Sequence, residues 1–190
     1  MKNEMEEIRI EWDGPYSLED IGYDEESDRN KPYNKTDKLN DDNIDYGIYQ
    51  VYGCHPMYGN DVLLYIGKAQ EQTFATRLAQ EGWESNSDSK NIKFYVGRLF
   101  AVEKPTHEEW NDKISKAESI LIYAHEPARN SSNVLNVTKN QTKLRDFENI
   151  RVLNYNDYRS LMPEVSGELW VKSFSASSEI FDFRELKKQT

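Results

Sequence analysis

The chain has few of the residues that build disulfide frameworks or zinc sites. Its 190 residues include one cysteine, Cys54, and three histidines, His55, His107 and His125. A single cysteine excludes an internal disulfide, and the histidines do not have the spacing of zinc ligands. Cys54 and His55 are adjacent, and adjacent side chains of an extended segment point apart, which argues against a Cys–His catalytic pair.

Long apolar runs are also missing. No segment approaches the roughly 18 consecutive apolar residues that a transmembrane helix needs. The segment 1–7 is polar and acidic and lacks the apolar stretch of a secretory signal. We therefore expect no membrane partner and a cytoplasmic location.

Positive charge is scarce: 24 lysines and arginines face 34 aspartates and glutamates, a net charge of -10. Residues 1–40 carry 6 basic and 12 acidic side chains (net -6), residues 41–140 carry 10 and 14 (net -4), and residues 141–190 carry 8 and 8 (net 0). Phosphate binding normally draws on lysine and arginine to replace counterions. We therefore expect weak non-specific affinity for nucleic acid, confined to a local basic face or dependent on a protein partner.

The remaining composition is that of a folded protein with a very polar surface. Hydrophobic residues make up 37% and aromatic residues 12% of the chain. A mass of 22.3 kDa is enough for one sizeable core but short for two. We predict a single domain over residues 1–190.

Residue periodicity predicts a mixed α/β class. Alternating apolar and polar residues predict strands at 8–12, 92–100, 150–155 and 169–174, the first ended by the Gly-Pro-Tyr of 14–16. Helical spacing predicts helices at 73–79 and 107–125, a short helix start at 17–20, and a candidate short helix at 158–162. The polar segment 24–42 is predicted to be an exposed connector.

Two tripeptides are the most informative feature of the chain: Gly47-Ile48-Tyr49 and Tyr65-Ile66-Gly67. Each lies in a strand-like segment, with Pro56 and Gly59 between them, so the pair predicts an antiparallel hairpin. The 15 residues between the two tyrosines predict an enlarged loop around 54–60.

Four further residues extend this pattern. Lys68 follows the second tripeptide, Arg77 lies in the next predicted helix, and Glu118 and Asn130 follow with a spacing of twelve. In order, spacing and residue type, residues 44–137 resemble the GIY-YIG nuclease family. The resemblance implies a small central antiparallel sheet flanked by helices, with 1–43 and 138–190 as extensions that add N- and C-terminal strands.

The same resemblance implies hydrolysis of DNA phosphodiester bonds with Mg²⁺ or Mn²⁺ as cofactor. Glu118, at the margin of the apolar stripe of its helix, is the implied metal ligand. Either Tyr49 or Tyr65 is the implied general base, and Lys68 supplies the positive charge that a phenol needs in order to act as a base near neutral pH. Arg77 offers a planar fork for two phosphate oxygens.

Three residues have implied supporting roles. Gly47 and Gly67 would allow close approach of the chain or the substrate, and Asn130 would tie a loop to the sheet through its amide. Several homing and restriction members of the family carry a histidine soon after the helix arginine, but residues 78–106 contain none. This weakens the resemblance to those branches and leaves the core motif intact.

A second interpretation is a GIY-YIG-like domain that serves as a nucleic-acid-binding or protein-interaction module with weak or lost chemistry. The acidic composition favours the module. The simultaneous presence of both tyrosines, the arginine and the glutamate favours the nuclease. The sequence leaves the DNA substrate, the pathway and the oligomeric state open.

Overall fold

The computed structural model describes residues 5–23, 37–85, 89–102, 105–130 and 147–167. These residues form a mixed α/β structure with one curled six-stranded sheet and two α-helices. The strands are β1 (Glu6–Tyr16), β2 (Gly47–His55), β3 (Gly59–Ala69), β4 (Lys93–Phe100), β5 (Ile150–Asn156) and β6 (Glu164–Ser166), and the helices are α1 (Phe74–Gln80) and α2 (His107–His125). Three short 3-10 turns cover Glu19–Ile21, Trp83–Ser85 and Ser89–Asn91. The α/β class is confirmed.

The sheet has the order β3-β2-β4-β1-β5-β6. All pairs are antiparallel except β1 with β5, which is parallel. The sheet as a whole is therefore mixed, and its parallel pair joins the N-terminal strand β1 to the C-terminal strand β5. The N-terminal strand β1 is not an edge strand of the sheet but lies between β4 and β5. This interior position agrees with the burial of its apolar side chains Ile8, Ile10 and Trp12 in the core.

Strand β1 is longer than predicted. It continues through Gly14 and Pro15 to Tyr16 instead of ending before them. A register shift against β4 between Asp13 and Tyr16 absorbs the irregularity, as a bulge does when proline cannot donate to the ladder.

The predicted β2–β3 hairpin is present, with Tyr49 opposite Gly67 and Val51 opposite Tyr65. The predicted loop enlargement is wrong: only residues 56–58 form the turn. The additional residues lengthen both strands instead, and two register shifts between β2 and β3 accommodate them. An aromatic and β-branched sequence favours strand over loop on both sides of the turn.

The two sheet faces carry separate clusters of buried side chains. Ile48 and Ile66 belong to the cluster that contains the apolar face of α2, whereas Tyr49 and Leu64 belong to the cluster that contains α1. This separation follows from the alternation of side chains along a strand. The tyrosine of the first tripeptide therefore belongs to the α1 cluster, next to the edge strand β3.

Helix α1 begins where the chain supplies acceptors for its first N–H groups. Thr73 caps it by accepting from the Thr76 amide, and the carbonyl oxygens of Asp45 and Leu39 accept from the Phe74 and Ala75 amides at 2.7 and 2.9 Å. Of the predicted exposed connector, 24–36 lies outside the described residues. The remainder is anchored to α1, since Leu39 is buried.

Helix α2 begins and ends where the sequence predicts. A capping box between Thr106 and Glu109 fixes its start. The predicted stripe contributes Ile114, Ala117 and Leu121 to the core. Among the described residues, no helix is both long and apolar enough to cross a membrane.

The C-terminal part is only partly as predicted. Strand β5 confirms the segment 150–155, but the segment 158–162 forms a turn rather than a helix. Asn156 and Arg159 have positive φ angles of 61° and 58°, which interrupt right-handed helical geometry. The predicted strand at 169–174 lies outside the described residues.

Candidate active site

Tyr49 and Tyr65 lie side by side on neighbouring strands. Their ring centroids are 6.1 Å apart with an interplanar angle of 32°. Tyr49 is 0% exposed, whereas Tyr65 is only partly buried. The predicted juxtaposition is confirmed, and it leaves Tyr65 as the phenol with better access to water.

The two motif glycines make close approaches of the kind that the sequence predicts. At Gly67 a Cβ would lie 2.5 Å from Tyr49 Oη and 2.6 Å from Tyr65 Cε1, so any side chain there would displace both rings. At Gly47, where φ is 145°, a Cβ would collide with the carbonyl oxygen of Gly97 on β4. Gly67 therefore makes room for the phenols and Gly47 for a neighbouring strand.

Arg77 does not stand free on its helix. Its guanidinium forms an ion pair with Glu81, four residues later, and the Tyr49 hydroxyl donates to the same Glu81 Oε1 at 3.3 Å. The Arg77 and Glu81 side chains are 32% and 19% exposed. Glu81 is a residue of the site that the sequence analysis missed; its spacing from Arg77 was the available signal, since residues four apart on a helix are neighbours.

The surroundings hold both phenols in their neutral form. Burial raises the pKa of Tyr49, and the charges of Glu81 and then Tyr65 raise it further, against the opposing effect of Arg77. Burial likewise raises the pKa of Tyr65, followed by the charges of Glu81 and Glu118, again opposed by Arg77. Either phenol therefore needs additional positive charge before it can act as a base at neutral pH.

Glu118 faces the same region from α2. Its side chain is 15% exposed and its Oε2 lies 3.4 Å from Lys68 Nζ on β3. Burial raises the pKa of Glu118, while Lys68 and then Arg77 oppose the shift. Lys68 is fixed by a second contact, a hydrogen bond of 2.9 Å that it donates to Ser115 Oγ.

Glu118 contributes a single carboxylate to this region, so a Mg²⁺ ion there would have to be held mainly by water and phosphate. No group of three or more His, Cys, Asp or Glu side chains with metal-site spacing occurs in the part of the chain that the structure describes. Mg²⁺ commonly binds through one or two carboxylates and completes its shell with water and substrate phosphates. Glu118 is largely buried, and the charges of Lys68 and Arg77 favour its ionised form, which is the form that a metal would require.

Asn130 ties the segment after α2 to the edge strand β3. Its Oδ1 accepts from the Ile66 amide and its Nδ2 donates to the Ile66 carbonyl, both at 2.9 Å. The two preceding residues add backbone bonds, Ala128 N to Leu63 O at 3.3 Å and Arg129 N to Leu64 O at 2.8 Å. The predicted tie between loop and sheet is confirmed.

An aromatic residue that contacts Tyr65, and a basic residue that contacts this aromatic ring, were not anticipated. Trp83 is 6% exposed, and its ring centroid lies 5.8 Å from that of Tyr65. The Arg129 guanidinium lies over the Trp83 ring at 5.7 Å. The sequence offered no local signal, because the two residues lie in different segments of the chain.

The site thus brings Tyr49, Tyr65, Lys68, Arg77 and Glu118 into one neighbourhood, and Asn130 anchors the adjoining loop. Comparisons with models of protein families, with curated proteins and with solved structures found no match to this chain.

Proposed function

We propose that this chain is a divalent-metal-dependent endonuclease of the GIY-YIG type that hydrolyses DNA phosphodiester bonds. The observation that carries the proposal is the convergence of two phenols, an arginine, a lysine and a largely buried glutamate at the edge strand β3. Phosphodiester hydrolysis needs an activated water and neutralisation of charge on the phosphate, and these residue types supply both.

The residues divide the chemistry as follows. Glu118 holds Mg²⁺ or Mn²⁺, which when bound polarises phosphate oxygen and lowers the pKa of a bound water. Arg77 exchanges Glu81 for phosphate oxygens, since both are anionic acceptors for its fork. Tyr65, the better exposed phenol, would first lose its own proton to solvent under the influence of the cation that Glu118 would hold, and the resulting phenolate takes the proton from the attacking water; the buried Tyr49 packs beside it.

The antiparallel core β3-β2-β4 with α1 and α2 agrees with the GIY-YIG-like arrangement that the sequence resemblance implies. In this proposal β1, β5 and β6 are the additions made by the N- and C-terminal extensions. They lie on the far side of β4 from the tyrosine hairpin.

The test is incubation of the purified chain with supercoiled, branched and single-stranded DNA in Mg²⁺ or Mn²⁺. Glu118→Gln should lower cleavage by orders of magnitude, and Glu108→Gln, an exposed position on the same helix, should not. Burial raises the folded-state pKa of Glu118, so its ionised form weakens the fold at neutral pH, and Glu118→Gln should not lower the melting temperature. Retention of cleavage by Glu118→Gln would show that the metal assignment is wrong.

A binding module without chemistry is the second candidate, and one contact favours it. Glu81 occupies both Arg77 and the Tyr49 hydroxyl, so the anion-binding groups are partly neutralised within the chain. Binding to DNA or to a protein partner, with no cleavage of any DNA form in either metal, would favour the module.

A further inference from the structure

Arg129 differs from the other arginines in the part of the chain that the structure describes. Five of those six arginines pair with carboxylates: Arg9 with Glu7, Arg77 with Glu81, Arg98 with Asp45, Arg151 with Glu164 and Arg159 with Asp61. Among the described residues, no carboxylate lies within ion-pair distance of Arg129, which is exposed. In a chain with a net charge of -10, an arginine without an acidic partner is a conspicuous anion-binding group.

The backbone around Arg129 is held firmly. Ala128, Arg129 and Asn130 all bond to β3, where Asn130 makes two bonds through its side chain. Because these bonds hold the backbone of Arg129 in place, its side chain is anchored beside the edge strand β3. Less conformational entropy is then lost when the guanidinium binds a ligand.

The guanidinium is also oriented. It lies over the face of Trp83, which is buried and contacts Tyr65. A guanidinium that is stacked on a ring keeps its N–H donors at the edge, where they can form a fork with two oxygens of one phosphate. Trp83 contacts both this cation and the phenol proposed as the base.

We propose that Arg129 binds a backbone phosphate of the nucleic-acid strand, adjacent to the phosphate that is cleaved. This inference rests on the proposed function and adds a second phosphate contact to it. Arg77 holds charge at the reacting phosphate, while Arg129 sets the register of the strand across Trp83 and Tyr65. Arg129 is therefore a positioning residue that contributes affinity without base specificity.

The test is binding of labelled single-stranded and duplex oligonucleotides in metal-free buffer, measured by fluorescence anisotropy over a range of salt concentrations. Arg129→Ala should weaken binding by about tenfold or more, as expected for loss of a charge-assisted contact. The slope of log K against log salt should fall by about one. Arg129→Lys should keep the slope and recover part of the affinity, because the charge remains and the fork is lost.

Arg9→Ala is the matched control. It changes the net charge by the same amount, and Arg9 lies on β1, three strands away from β3. It should leave the affinity and the salt slope nearly unchanged. Circular dichroism of each variant checks that the fold is retained.

The outcomes separate this inference from the proposed function. If Arg129→Ala lowers affinity and slope but the wild-type chain cuts no DNA in Mg²⁺ or Mn²⁺, the phosphate contact stands and the nuclease proposal fails. If the wild type cuts DNA and Arg129→Ala binds like Arg9→Ala, the phosphate contact is wrong and the nuclease proposal stands. Absence of salt-dependent binding by the wild type also overturns the role of Arg129.

Discussion

Glu81 is predicted to compete with substrate phosphate for Arg77. It is the closest anion to the guanidinium, and it also accepts from the Tyr49 hydroxyl. A phosphate that approaches Arg77 meets this carboxylate, so Glu81→Gln should strengthen DNA binding. The glutamine keeps the shape and a hydrogen-bond acceptor for the phenol, and removes only the charge.

The size of the repulsion between Glu81 and a phosphate at Arg77 depends on the distance between the two charges and on their exposure to solvent. Two unit charges about 4 Å apart repel by about 1 kcal/mol in water and about 4 kcal/mol at the effective dielectric constant near a protein surface. Side-chain exposures of 32% for Arg77 and 19% for Glu81 place the pair between these limits. We therefore expect Glu81→Gln to tighten DNA binding at least about fivefold. Loss of this partly exposed i, i+4 pair should cost only about 0.3–0.5 kcal/mol of stability.

Tyrosine titration provides a second readout that needs no substrate. The Glu81 charge raises the pKa of both Tyr49 and Tyr65, so its removal should lower both pKa values. Because the chain has 12 tyrosines, a pH titration that resolves individual tyrosine rings by NMR, compared between wild type and Glu81→Gln, measures this change at Tyr65. Glu71→Gln is the control, since its side chain is 74% exposed and the change in net charge is the same.

Two results would refute this reasoning. If Glu81→Gln weakens DNA binding or abolishes cleavage while the fold and melting temperature are kept, Glu81 contributes to the functional site rather than competing with its ligand. Unchanged binding would show that the Arg77–Glu81 pair does not oppose the phosphate.

Three further predictions concern other parts of the structure. Tyr65→Phe should lower cleavage more than Tyr49→Phe across a pH series, because Tyr65 has better access to water, and the reverse order would exchange their roles. Gly67→Ala should cost about 1–3 kcal/mol in chemical denaturation and suppress cleavage, because the new methyl group meets both phenols. Burial lowers the folded-state pKa of His125, whose Nε2 accepts from the Met162 amide at 2.8 Å, so stability should fall as the pH drops below about 6.5. His125→Gln should flatten that decline in thermal melts.

Local sequence signals predicted the elements that carry the site. The two strand-like tripeptides with a Pro/Gly segment between them were enough for the β2–β3 hairpin, and helical spacing was enough for both ends of α2. Glu118 lies at the margin of α2 as its position along the helix predicts. These features depend on periodicity within a single segment, which a sequence displays directly.

Long-range pairing was beyond such signals. The parallel contact of β1 with β5 joins segments that are far apart in the sequence. The alternation of residues within one strand does not indicate which other strand it will pair with. Trp83 and Arg129 come from different segments, and the second of these is held against β3 by the hydrogen bonds of Ala128, Arg129 and Asn130. Glu81 is different, because its spacing from Arg77 was visible but is common on helices and identifies no site by itself.

The charge pairs at the site imply that metal and phosphate should assist one another's binding. Lys68 forms an ion pair with Glu118, and Arg77 forms an ion pair with Glu81. Each cation that is proposed to act on the substrate is therefore paired with a carboxylate of the chain before the substrate binds. When Glu118 takes a cation, Lys68 loses its carboxylate partner and is left to attract phosphate. When Arg77 binds a phosphate, the negative charge of that phosphate lies near Glu118 and should raise the affinity of Glu118 for a metal ion. Oligonucleotide affinity should therefore rise on addition of Mg²⁺ in the wild type and much less in Glu118→Gln, and equal responses would argue against this coupling.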